Sequence, residues 1–326
     1  MGAKTGIAWT GRTWNPIVGC TKVTAGCDRC YAIVTATRMS EHPAYAGTAA
    51  DGEWTGKINL LPDRLEQPLH WTKPSSVFVN AQSDLFHKDV PDFFVAEVFG
   101  TMAVSPQHTF QVLTKRSARM RTLLTKAGDG VEPSFEAMVR NAGFNLLNRV
   151  RSERRTSIKA TARLADEVPW PLPNVHLGVT VENEATLWRV SDLVRTPAAR
   201  RFISAEPLLS ALELPRFCAC GCMKPYAEAV ASAGANPGFL NTFQAEASVP
   251  ATLGVDQVIV GGESGAGARL MEADWARSIR DQCAAHDVPF FMKQMGSAWA
   301  ALNGAPGKAD QLVDFPEDLR IRQDIR

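Results

Sequence analysis

Cys20, Cys27 and Cys30 fall within eleven residues, in the spacing C-x6-C-x2-C. Three thiolates can each hold one iron of a four-iron cubane and leave the fourth iron open to a substrate or cosubstrate. A structural zinc site is normally closed by four ligands. His42 is the nearest histidine, and no His-x-x-Cys spacing is present. Spacing alone therefore favours an iron–sulfur site over a zinc knuckle, and both over bare reduced thiols. Gly19 and Gly26 each precede a cysteine, and Pro16 stiffens the entry to the loop.

The loop must be held by something, and the chain that follows is rhythmic. Short apolar runs at residues 13–18, 76–80, 109–113, 174–181, 201–204, 257–260 and 289–292 read as strands. Segments 32–39, 61–70, 93–102 and 275–285 read as helices, and residues 42–60 as turns. Seven strands separated mostly by helix-compatible segments predict α/β structure: a partial or near-complete parallel β/α, TIM-like barrel in one domain over residues 1–326. Two insertions break the rhythm, at about 126–170 and about 215–254. In such barrels the chemistry sits at the carboxyl ends of the strands. That rule gathers Cys20, Cys27 and Cys30 with Asp84, Lys115, Glu182, Glu206 and Glu263 at one mouth. Helix capping could account for one or two of these polar residues, but it explains Lys115 and the successive glutamates poorly.

The 326 residues have 45% hydrophobic and 21% charged content and a net charge of +1, as an ordinary globule does. Seven clustered cysteines and no secretory apolar region point to a reducing cytoplasm. No run of 18 apolar residues could span a membrane. The charge is unevenly spread. Residues 139–163 carry Arg140, Arg149, Arg151, Arg154, Arg155, Lys159 and Arg163 against Glu153, a local +6. Clustered Arg and Lys are the footprint of a nucleic-acid site, although a solvated helical face has the same composition. Cys218, Cys220 and Cys222 alternate in the second insertion, as a candidate second metal site or as plain reduced thiols. Cys283 reads as core.

A tricysteine loop after the first strand of a parallel β/α barrel resembles the radical S-adenosylmethionine superfamily. The opening W-N-P…G-C…G-C-x-x-C-Y-A is similar to that of a group of phage and bacterial proteins. Asn80 to His87, Leu113 to Arg116, Ser204 to Leu209 and Val260 to Gly265 fit the same group. The first cysteine gap is six where the superfamily has three, and Gly261-Gly262-Glu263 comes late in the chain. The resemblance implies a 4Fe-4S cluster on Cys20, Cys27 and Cys30 that chelates S-adenosylmethionine and reductively releases a 5′-deoxyadenosyl radical. It implies cosubstrate contacts among Gln82, Ser83, Asp84, Lys115, Glu182, Ser204, Glu206, Gly261, Gly262 and Glu263. Asp84 would meet the ammonium group, Lys115 the carboxylate and Glu182 the ribose, with the glycines beside the adenine.

Spore photoproduct lyase, a distantly similar barrel, suggests a nucleobase, nucleotide or nucleic acid as substrate, such as a modified pyrimidine of phage DNA. The enzyme would be an isomerase, lyase or base-modifying enzyme with an external electron donor, in the cytoplasm of a bacterium or phage-infected host. The rival is a non-catalytic zinc or iron–sulfur protein that binds nucleic acid. Such a protein has no need for a ring of strand-end acids.

Overall fold

The computed structural model describes residues 5–154, 168–218 and 251–325. They form two compact units. One comprises Met1–Gly178 with Thr196–Arg200, the other Val179–Arg195 with Arg201–Arg326.

In the first unit, β1 (Arg12–Trp14), β2 (Ser76–Val79) and β3 (Thr109–Thr114) are parallel neighbours in that order. Arg12 pairs with Val77, and Ser76 with Thr109. Val77, Val79, Phe110 and Val112 are buried. Continuous apolar runs of this kind are what a parallel sheet between helices requires. Helices α1 (Tyr31–Arg38), α2 (Asp92–Ala103), α3 (Ser117–Leu124) and α4 (Phe135–Arg154) complete the unit. Helix α2 is apolar nearly all round, with Phe94, Val95, Val98, Phe99 and Met102 buried, and it packs on α4.

Helix α4 occupies much of the basic insertion. Its Leu146, Leu147 and Val150 join Val104 in a core cluster, so one face of this segment is structural. On the remainder, Arg140 pairs with Glu136 at 2.8 Å and Arg151 is exposed. Arg155, Lys159 and Arg163 lie outside the described residues, as do Cys220 and Cys222 of the second insertion.

Strand β4 (Val175–Thr180) passes from the first unit into the second between Gly178 and Val179. In the second unit β5 (Arg200–Ala205, within this unit from Arg201), β6 (Gln257–Gly261) and β7 (Phe290–Gln294) are parallel, again in chain order. Helices α5 (Trp188–Val194), α6 (Ala273–Ala285) and α7 (Ser297–Asn303) accompany them. Each unit is thus parallel α/β structure, as the strand rhythm predicts.

Two local expectations change. The run 61–70 is not an α-helix but two short 3-10 turns, Pro62–Arg64 and Gln67–His70. Pro68 has no N–H to continue a helix, which explains the break. The first strand stops at Trp14 rather than reaching Val18. Beyond Pro16, Ile17–Val18 turns away to pair antiparallel with Asn59–Leu60. Among the described residues no helix is long and apolar enough to cross a membrane.

Candidate functional site

The cysteine loop begins where β1 ends, and the carboxyl end of β2 holds it. The Gly19 N–H donates to the Gln82 carbonyl at 3.2 Å. Ser83 Oγ donates to the Ile17 carbonyl at 3.0 Å, and Asn15 Oδ1 accepts from the Gln82 N–H at 3.2 Å. Tyr31 Oη, just after Cys30, donates to the Ala81 carbonyl at 2.8 Å. Gln82 and Ser83 are therefore fasteners of the loop. Gly19 has φ +103°, and a Cβ there would lie 2.2 Å from the Lys57 carbonyl oxygen. Glycine is required by the neighbouring backbone.

Asp84 sits at the centre of a second layer. Its carboxylate accepts from Thr114 Oγ1 at 2.7 Å, the Phe86 N–H at 3.0 Å, the Lys115 N–H at 3.1 Å and Arg116 Nη1 at 3.0 Å. With four donors on two oxygens, Asp84 is committed to positioning Arg116. Arg116 in turn reaches the loop. Nη2 donates to the carbonyl and Oγ1 of Thr21, each at 2.9 Å, and Nη1 lies 3.7 Å from Cys20 Sγ. His87, fully buried, has Nε2 2.9 Å from Thr21 Oγ1, while its Nδ1 accepts the Asp89 N–H at 3.2 Å. Burial lowers the His87 pKa, which favours the neutral ring. With Nδ1 accepting, Nε2 carries the proton and donates to Thr21.

Cys20, Cys27 and Cys30 are free and partly exposed. Burial pushes the Cys20 thiol up to about 11; Asp84 adds to the rise and Arg116 opposes it. Burial also raises Cys30, which caps the start of α1. The backbone amides of Ala32 and Ile33 and the Lys115 charge pull the other way, favouring its thiolate. Cys283 differs: it is fully buried in α6 and burial alone pushes it up to about 12, the signature of an inert core thiol.

Sequence reasoning named Asp84 and Lys115 but not Thr21, His87 or Arg116, which connect them to Cys20. The Lys-Arg pair ending β3 was the available signal. Asn80 was missed as a site residue too. It is 3% exposed with φ +60°, and neither its Nδ2 nor its Oδ1 has a partner; nor does Gln82 Oε1. An unsatisfied buried amide costs roughly 1–3 kcal/mol, so these atoms suit water or a bound polar group.

The remaining strand-end residues lie in the second unit and are mostly occupied. Glu182 has no exposed surface and pairs with the equally buried Arg189 at 2.9 Å; Arg189 also donates to the Thr180 carbonyl. Glu206 meets Lys293 at 2.5 Å, both largely buried. Glu263 receives Arg269 through Nε at 3.0 Å, Nη2 at 2.5 Å and the backbone N–H at 2.9 Å. Ser204 is buried, and its carbonyl accepts the Val181 N–H. A Cβ on Gly262 would lie 2.1 Å from the Met295 carbonyl oxygen, and one on Gly261 would crowd the Glu206 carboxylate at 3.2 Å. These glycines admit close packing of strand ends.

Over residues 4–314 the sequence matches the family model described as protein of unknown function (DUF5131). The chain belongs to this family. Neither curated proteins nor solved structures gave a match. The family match spans the cysteine loop, both units and both insertions.

Among the described residues no group of three or more His, Cys, Asp or Glu side chains could hold a metal ion. A single ion needs ligands that converge on one point, whereas a cubane takes each thiolate on a separate iron. Three thiols of one loop, with an Arg N–H beside Cys20, are a donor set suited to such an anionic group. The donor set fits an iron–sulfur cluster better than a closed zinc site.

Proposed function

We propose that this DUF5131 protein is a radical S-adenosylmethionine enzyme, with Cys20, Cys27 and Cys30 holding a 4Fe-4S cluster in a partial β/α barrel frame. The supporting observation is the Arg116–Cys20 contact within the Asp84 network. It gives a partly exposed thiol an N–H donor fixed in place, as the sulfur of a cluster ligand takes. When bound, a reduced cluster supplies one-electron cleavage of the cosubstrate's carbon–sulfur bond. The protein's own residues hold and shield that centre. Gln82, Ser83 and Tyr31 fix the loop, Asp84 and His87 fix Arg116 and Thr21, and Asn80 offers unsatisfied amide atoms to a polar ligand. Lys115, whose charge opposes the rise that burial gives the Cys30 thiol, is the cation best suited to the cosubstrate carboxylate.

The substrate class is a nucleobase, nucleotide or nucleic acid, rearranged, modified or repaired in the cytoplasm with electrons from an external donor. The basic stretch 139–163 supports that choice through its charge of +6. The deciding experiment is anaerobic purification followed by incubation with S-adenosylmethionine and dithionite. Brown protein absorbing near ~400 nm, with 5′-deoxyadenosine formed, is the expected result. Colourless protein with one zinc and no cleavage would instead favour the rival, a non-catalytic nucleic-acid-binding protein.

A further inference from the structure

We propose that Arg116 is a positioning residue for the Cys20 sulfur and raises the reduction potential of the cluster held there. The inference rests on the cluster reading and adds to it a residue that sets how readily the centre accepts its electron.

The geometry of Arg116 is over-determined. Asp84 receives Nη1 at 3.0 Å, and Thr21 receives Nη2 on both its carbonyl and its hydroxyl at 2.9 Å. Asp84 is itself fixed by Thr114, Phe86 and Lys115, and Thr21 by the buried His87. A guanidinium has five donors in a rigid fork, so these anchors leave Nη1 only one way to point. It points at Cys20 Sγ, 3.7 Å away. The side chain is 13% exposed, so solvent screens its charge weakly.

Reduction adds one negative charge to a cluster. A cation and an N–H···S contact stabilise the more negative state and raise the potential, and hydrogen bonds to sulfur and solvent exposure are among the factors that set it. Asp84, 3.0 Å from the same Nη1, carries the opposing charge. The pair thus holds the local charge near balance, and of the two Arg116 alone donates an N–H to the sulfur.

The test is a dithionite titration of anaerobically purified wild type, Arg116→Lys and Arg116→Gln. Absorbance near ~400 nm reports the reduced fraction, and iron content and circular dichroism are measured on the same samples. Arg116→Gln should be harder to reduce by about tenfold in the one-electron equilibrium, which is about 59 mV. Arg116→Lys should fall between the two, because one ammonium cannot reach Asp84, Thr21 and Cys20 together.

A purely structural arginine would lower stability without moving the potential. If wild type holds iron and both variants titrate at its potential, the inference is wrong and the cluster reading stands. If wild type holds no iron, the cluster reading falls and takes this inference with it. Should Arg116→Gln fail to fold, an unchanged potential in Arg116→Lys overturns the proposal by itself.

Discussion

The two units treat the polar residues at their strand ends in opposite ways. In the second unit each of the three strand-end glutamates has one dominant basic partner: Glu182 with Arg189, Glu206 with Lys293, Glu263 with Arg269. In the first unit the charges form one connected network, from Asp84 through Arg116 and Thr21 to His87, and it ends at the sulfur of Cys20. Beside it, Asn80 keeps unsatisfied amide atoms. A charge at a strand end is therefore not in itself a site. What distinguishes the first unit is reactive groups left partly open inside a fixed surround.

The largest expected contrast is in metal content. Replacing Cys20, Cys27 or Cys30 singly by Ala should abolish iron binding, because each is one of only three thiolates. Glu263→Gln, in the second unit, should leave iron content at the wild-type level. Iron assays on the four variants decide it, and full iron in all three cysteine variants would erase the contrast between the units.

Next is stability in the second unit. Glu182 and Arg189 are both essentially without exposed surface. Glu182→Ala would strand a buried guanidinium, and breaking one partner of such a pair costs roughly 3–5 kcal/mol. Denaturant unfolding should show that loss in the variant. A loss within experimental error would mean that Arg189 finds water or another acceptor, and that the second unit is less sealed than its geometry suggests.

How much of this was legible beforehand depends on range. The strands were readable because buried parallel strands are apolar on both faces: the run 76–80 became Ser76–Val79, and 109–113 became Thr109–Thr114. The helix expected at 61–70 was misread because its every-fourth leucines outweighed Pro68, whose missing N–H decides the local backbone. At the site, the three cysteines announced themselves by spacing. The Arg116 contact with Cys20 spans 96 positions, and no spacing rule reports it. Nor does composition tell an open glutamate from one already paired, as Glu263 is with Arg269 six residues on. Cys218, read with Cys220 and Cys222 as a candidate second metal site or as plain reduced thiols, begins the stretch of which no side chain is described.

Two glycines sharpen the comparison at smaller magnitude. An added methyl at Gly19 would meet the Lys57 carbonyl, and one at Gly262 the Met295 carbonyl. Gly19→Ala also forces a side chain into positive φ. Each change should cost roughly 1–3 kcal/mol through backbone shift or strain. Only Gly19→Ala should also loosen iron, since Gly19 adjoins Cys20. Equal iron release to a chelator from both variants would show that the loop does not depend on its local backbone.

The smallest effect concerns an exposed acid outside both clusters. Asp318 accepts from Arg277 at 2.9 and 3.2 Å and from Arg280 at 2.6 Å. Those hydrogen bonds, Arg277 first, hold its carboxyl down at about 2 against an ordinary 3.8. A depressed folded-state pKa means that the ionised form favours the folded chain. Its contribution is complete above the unfolded value and fades as pH falls from about 4 towards about 2. Asp318→Asn should therefore melt slightly below wild type near neutrality, and the two should converge at the acid end of that window. Because the side chain is 45% exposed, added salt should narrow the neutral-pH gap as well. Melting curves at about pH 6 and about pH 2, with and without salt, measure both effects. A gap that persists unchanged at low pH would show that the asparagine acts through packing and not charge. Asp318 would then join the sealed pairs of its unit rather than the solvent-screened surface.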